Sequence, residues 1–145
     1  MSDKGTSIGA WEALFRAQVS VLRQLGAEFP DDLSLNEYDV LFNLSRCENW
    51  QSRLKDLNRR LLLTQPSVSR LVDRLVQRGL LTKQTDPADG RGTIVALTQA
   101  GYDLFRKVAL VHSEHIHRVL GDALDQDELE QLTRLTDKLR LAAGG

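Results

Sequence analysis

The chain holds a single cysteine, Cys47, so no disulfide framework can form within it. It has no apolar run approaching the roughly 20 residues of a membrane-spanning helix. The opening stretch MSDKGTSIGAWEAL lacks the basic segment and uninterrupted apolar core of a secretory signal, so a cytoplasmic protein without a membrane partner is expected. The residues of an enzyme are missing as well. No serine is joined by a recognisable His and acid, no Gly-rich loop is shaped to cradle phosphate, and the lone cysteine has no catalytic context. These absences leave a binding or regulatory protein that calls for no cofactor. At 145 residues it is long enough to build a core without metal or disulfide support.

Net charge is only −1, but the charge is unevenly spread. Between residues 53 and 91 stand nine bases (Arg53, Lys55, Arg59, Arg60, Arg70, Arg74, Arg78, Lys83 and Arg91) against four acids (Asp56, Asp73, Asp86 and Asp89). That segment therefore carries +5 and the rest of the chain −6. A basic middle in an acidic frame is the footprint of a polyanion-binding module mounted on something else.

Hydrophobic spacing supplies the elements. Ile8, Trp11, Phe15, Leu22, Leu25 and Phe29 form one helical stripe, closed by Pro30 and Asp31-Asp32. Ser34 with Glu37 is a capping-box signature for a second helix to about Arg46, with Leu35, Tyr38, Leu41, Phe42 and Leu44 or Ser45 facing inward. The connection CENWQS follows, with a brief extended piece around Gln51 to Arg53. Leu54, Leu57 and Leu61 mark a short helix. Thr64 is the expected cap of the next, with Pro66 in its first turn. In that helix Val68, Leu71, Val72, Leu75 and Val76 make a dry face. Arg70, Asp73, Arg74 and Gln77 lie opposite, Ser67 and Ser69 stand at the margins, and Gly79 ends the helix in a left-handed conformation. LLTKQTD and TIVALT flank the turn PADGRG as an antiparallel hairpin. Thr98 opens a helix to about Leu120 along Phe105, Val108, Ala109, His112, Ile116 and Val119. A last helix runs from about Asp125 to Leu141 with Leu129, Leu132, Leu135 and Leu139.

The fold class is thus mainly α (α+β): a winged helix-turn-helix lobe over residues 34–97 within a single domain of 1–145. The flanking helices, 8–29 and 99–141, carry apolar stripes longer than such a lobe needs, which points to a homodimer. In a winged helix the second helix enters the major groove of double-stranded DNA with its N-terminal residues at the base edges. That assigns Thr64, Gln65, Ser67, Ser69, Arg70 and Arg74 to bases and neighbouring phosphates, with Pro66 placed for a thymine methyl. Arg53, Arg59 and Arg60, together with Lys55, are placed to grip phosphates. Arg91 at the hairpin tip is the residue for the minor groove. Gly90 and Gly92 are expected to let the tip turn sharply, and Asp89 to brace the guanidinium of Arg91.

The run LTQPSVSRLVDRLVQRGLLTKQTDPADGRGTIVALTQAG resembles the DNA-binding core of the MarR family of bacterial transcription regulators. Ser69-Arg70, Leu75, Gly79-Leu80, Asp89-Gly90-Arg91, Leu97-Thr98 and Gly101 carry the resemblance, and the order of the flanking helices extends it over nearly the whole chain. The turn of the helix-turn-helix reads LLLTQ, with no glycine. The resemblance implies a homodimer knitted by the first and the last two helices, with two lobes on a pseudo-palindromic operator. It also implies repression relieved by a small, often aromatic, effector held between the dimer helices and the lobe. Trp11, Phe15, Phe42 and Trp50 are the aromatics available to line such a site, although aromatics at helical spacing also serve as core.

Other readings stay open. Cys47, beside Arg46, raises a thiol-redox response against an inert thiol. His112, His115 and His117 with Glu114 raise zinc sensing, but His117 projects to the far side of its helix and no metal set is assigned. A winged-helix protein-interaction module without DNA binding would use the same stripes. It would have no reason to keep Gln65, Ser69, Arg70 and Arg74 together with Arg91.

Overall fold

The carboxylate of Asp3 accepts from the backbone N–H groups of Gly5 and Thr6 and so starts the first helix, α1 (Lys4–Ala27), about a turn before its apolar stripe begins. The computed structural model describes residues 1–62 and 67–145. Beyond α1 the elements are α2 (Leu35–Ser45), a 3₁₀ turn (Glu48–Trp50), β1 (Gln51–Arg53), α3 (Leu54–Arg60), α4 (Val68–Gln77), β2 (Leu81–Thr85), β3 (Thr93–Leu97), α5 (Gln99–Gly121) and α6 (Gln126–Ala142). The mainly helical winged-helix class expected from the sequence is the one observed.

The chain divides into two compact units, one made of residues 29–111 and the other of residues 1–28 with 112–145. In the first, α2 begins with the expected capping box: Ser34 accepts from the Glu37 N–H, and Glu37 accepts from that of Ser34. Its buried face is broader than the spacing suggested, because Val40 is fully buried and Asp39 nearly so, while Leu35, Tyr38 and Phe42 are only half-buried. Leu41, Leu44, Leu57, Leu71, Val72, Leu75, Leu81, Val95 and Val108 pack with Val40 in one core. Each is a residue of an apolar stripe, so the core forms where the stripes of α2, α3, α4 and α5 meet the inner face of the sheet.

The hairpin forms as expected, β2 antiparallel to β3 with Leu81 opposite Leu97 and Thr85 opposite Thr93. The brief extended piece, β1, is the third strand and pairs along β3 with Arg53 opposite Ile94, giving the order β1-β3-β2.

Two glycines fix how α4 gives way to the wing. Gly79 has φ +74°; its N–H donates to Val76 and that of Leu80 to Leu75, so the last carbonyls of α4 are satisfied by a left-handed turn. Gly101 sits where a Cβ would lie 2.1 Å from the carbonyl oxygen of Leu80. The Thr98 hydroxyl donates to the Gly79 carbonyl (2.8 Å) and accepts from the Gly101 N–H (3.0 Å), stitching the start of α5 to the end of α4.

In the second unit α6 also opens on a capping box, Asp125 with Glu128, and Arg118 of α5 pairs with Glu28 just after α1. Leu25 is buried there, but Ile8, Trp11 and Phe15 on α1 and Leu132, Leu135 and Leu139 on α6 are about half exposed. Among the described residues no helix is long and apolar enough to cross a membrane.

Candidate nucleic-acid interface

The polar face of α4 is laid out as its periodicity requires. Ser69, Arg70, Asp73, Arg74 and Gln77 are exposed, while Leu71, Val72 and Leu75 anchor the opposite face. The helix begins at Val68, and its cap is Ser67, whose hydroxyl accepts from the Arg70 N–H at 3.3 Å. The expected cap Thr64, the expected base contacts of Gln65 and the expected thymine contact of Pro66 lie outside the described residues.

One cleft joins the start of α4 to the wing. Arg53, Lys55 and Asn58 of the β1–α3 segment, Ser67 and Ser69 of α4, and Asp89 and Arg91 of the wing all line it. Two stretches separated by some twenty residues of sequence thus face the same opening. Asn58 was not singled out by the sequence reading; its place on the turn of α3 next to Lys55 and facing Ser67 is a tertiary fact.

The wing is braced differently from the expectation. Asp89 accepts from the backbone N–H of Arg91 at 3.1 Å, and no ion pair joins it to that guanidinium. The carboxylate that holds a guanidinium is Asp86, buried at the base of the wing, with its Oδ2 2.9 Å from Nε of Arg53 and its Oδ1 accepting from the Ala88 N–H at 2.9 Å. The tip does turn at Gly90 and Arg91, closed by the Gly92 N–H donating to the Asp89 carbonyl at 2.8 Å, but neither Gly90 nor Gly92 has a positive φ, so the turn uses no left-handed backbone at a glycine. Gly92 is instead crowded, since a Cβ there would lie 3.3 Å from Cβ of Asp86.

The structure sorts the nine cations of the basic segment. Arg78 pairs with Glu37 at 3.2 Å and donates to the Asp32 carbonyl, Lys83 pairs with Asp73 at 2.7 Å, and Arg53 is committed to Asp86, so these three brace the lobe. Arg59 lies 3.9 Å from Asp56, and Arg60 donates to the Cys47 sulfur at 3.2 Å. Like Arg60, which meets only that sulfur, Lys55, Arg70, Arg74 and Arg91 have no carboxylate partner among the described residues, and these last four lie on the cleft and the adjoining face of α4. Four unneutralised cations on a cleft and an adjoining helix face form a site for a polyanion.

The four aromatics considered for an effector are divided between the two units, Trp11 and Phe15 in one and Phe42 and Trp50 in the other. Trp11 and Phe15 pair on α1 at 5.6 Å, 60% and 53% exposed. Phe42 belongs to a cluster with Tyr38 and Phe105, and Trp50 stacks on Tyr102 at 4.4 Å with planes 17° apart. Tyr102 and Phe105 link these groups within the lobe. Burial raises the Tyr38 phenol above its ordinary value, with Arg46 acting weakly against it. Trp50 and its neighbour Asn49 both have positive φ, 57° and 55°, a costly conformation for a side chain as large as tryptophan. Among the described residues no three His, Cys, Asp or Glu side chains converge as a metal site would require.

Residues 31–92 match the model of the MarR family. The chain is 33% identical over 86 residues to YkoM of Bacillus subtilis (strain 168), an uncharacterised HTH-type transcriptional regulator. That alignment covers 59% of this chain and 55% of the relative, so it spans about half the length of that protein. Among solved structures the chain is similar to Sco3205 from Streptomyces coelicolor, a MarR family transcriptional regulator in complex with DNA. The identity is 22%, the likeness covers 99% of this chain and 89% of the other, and the TM-score is 0.79. It is also similar to BpsR of Bordetella bronchiseptica, whose DNA binding is regulated by 6-hydroxynicotinic acid, with 26% identity, 91% and 98% of the two chains covered and a TM-score of 0.77. The family match falls on the segment that holds the unpaired cations and most of the core, and over that segment the chain is similar to the MarR family.

Proposed function

We propose that this protein is a cytoplasmic, sequence-specific regulator of transcription that binds a pseudo-palindromic DNA operator as a homodimer and represses until a small aromatic ligand releases it. The observation that carries the reading is the cleft in which Lys55, Ser67, Ser69 and Arg91 face one opening beside the free Arg70 and Arg74. Serines and arginines on a helix tip suit base edges, and cations on a flexible stem suit phosphates. Dimerisation is supported by the apolar side chains of α1 and α6 left half exposed in the single chain, a burden that soluble monomers rarely carry. Ligand release is supported by the behaviour of BpsR. A protein-interaction module would have no use for four unneutralised cations arranged in this way.

Selection of bound sequences from random duplex DNA tests the reading. The expected result is one enriched inverted repeat with half-sites about one helical turn apart. Recovery of no preferred sequence, at low salt as well as at physiological salt, would leave the regulator reading without support.

A further inference from the structure

We propose that Asp39, buried in α2, is a positioning residue for sequence reading: it fixes where the chain leaves α3 on its way to α4. The proposal rests on the DNA-binding reading above. Asp39 is 5% exposed and lies between Tyr38 and the fully buried Val40. Its Oδ2 accepts from the Leu62 N–H at 2.9 Å, and its Oδ1 accepts from the side-chain amide of Asn43 at 3.0 Å. That amide also donates to the Asp39 carbonyl at 2.8 Å, which fixes its orientation and, through it, that of the carboxylate.

A buried carboxylate is a costly way to fill space, and an apolar residue of similar volume would pack there without desolvating a charge. What the carboxylate adds is direction, through a charge-assisted bond to one backbone amide. Leu62 follows the last hydrogen-bonded turn of α3, where Leu61 donates to Leu57 at 3.1 Å. The Leu62 side chain is 78% exposed, so packing does not hold it, and Asp39 reaches its backbone instead. Five residues later Ser67 caps α4.

The far end of α4 is tied to the same helix: Arg78 pairs with Glu37 of α2 at 3.2 Å. One helix therefore holds both ends of the reading unit, through Glu37 behind α4 and through Asp39 at the segment leading into it. Base contacts by short side chains such as Ser67 and Ser69 require placement to within about half an ångström. Phosphate contacts through the long stem of Lys55 tolerate a larger displacement. Loosening the Asp39 clamp should therefore erode discrimination and leave general DNA affinity in place.

The test uses the full chain and the operator selected with the unaltered protein, measuring dissociation constants for operator and for random duplex at one salt concentration, on protein whose folded fraction is checked by circular dichroism. Asp39→Ala is expected to weaken operator binding at least tenfold while random-duplex binding stays within about twofold. Asp39→Asn, whose single side-chain oxygen can accept from the Leu62 amide or from Asn43 but not from both, is expected to restore only part of the preference. If Asp39→Ala does not fold, Leu62→Pro removes the donor instead. Leu61, at φ −62° and ψ 133°, already has the backbone a following proline demands. The same loss of preference is expected there. An unchanged ratio of operator to random affinity, or an equal fall on both duplexes, overturns the positioning role. Absence of any preference in the unaltered protein overturns the DNA-binding reading itself, so the two failures are distinguishable.

Discussion

Arg70, Lys55 and Arg91 are all cations without a carboxylate partner among the described residues, yet the proposed DNA-binding reading gives them different work. Arg70 lies in the first turn of α4, where a guanidinium can fork onto a guanine, so Arg70→Ala should relax preference at one position of each half-site and cost about 1–3 kcal/mol. Lys55 lines the cleft, where the proposed reading gives it a phosphate. Lys55→Ala should weaken all duplexes alike and reduce the slope of log affinity against log salt by about one unit. Titrations of both variants across a salt series separate the roles; equal losses on operator and random DNA for Arg70→Ala would remove it from base reading. At the wing, Arg91→Ala should leave folding intact and lower operator affinity at least tenfold, about 1.4 kcal/mol. Asp89→Ala should also weaken binding, by less, because it removes the acceptor that holds the Arg91 amide. A purely Coulombic wing gives the opposite sign for Asp89, since removing a negative charge would then tighten the complex.

At the scale of elements, two glycines that look alike in sequence act through different physics. Gly79 has φ +74° and open space where a Cβ would go, so Gly79→Ala should cost only the left-handed strain, about 1–2 kcal/mol. Gly101 abuts the Leu80 carbonyl, so Gly101→Ala must push α5 away from the end of α4 and should cost about 3 kcal/mol or more. Urea unfolding of the two variants orders them, and a Gly101→Ala loss no larger than that of Gly79→Ala would contradict the contact. Helix α5 also carries a pH dependence. Desolvation, helped by His115, holds His112 below its ordinary value of 6.5. The unfolded chain then binds the proton more readily than the folded one, so stability falls as pH drops through about 6.5 and levels off below the folded value. Urea midpoints at pH 7.5 and 5.5 should show that loss, and His112→Gln should reduce it.

For the whole molecule, the proposed homodimer would bury the half-exposed leucines of α6 and the aromatic pair of α1. Sedimentation at micromolar concentration should give two chains per particle. Leu135→Glu with Leu139→Glu should shift the population toward monomer without unfolding the winged lobe, whose core contains neither residue. Because an inverted repeat is read by two lobes at once, the same double variant should lose operator affinity more steeply than random-duplex affinity.

The helices, the hairpin and the polar face of α4 were legible in the sequence because each depends on local periods and caps: Ser34 with Glu37, the apolar spacing from Val68 to Val76, the stop at Gly79. The start of α1 at Asp3 was missed because capping is a local hydrogen bond that hydrophobic spacing does not register. The identity of the cations that remain free for DNA was not legible. Arg53, Arg78 and Lys83 look the same in sequence as Lys55, Arg74 and Arg91, and only the folded chain brings Asp86, Glu37 and Asp73 within ion-pair distance of the first three. Asp39 escaped for the same reason, since its value lies in an amide twenty-three residues away. Local periodicity is written into the order of residues, whereas pairing between distant charges is decided by which surfaces the hydrophobic core draws together.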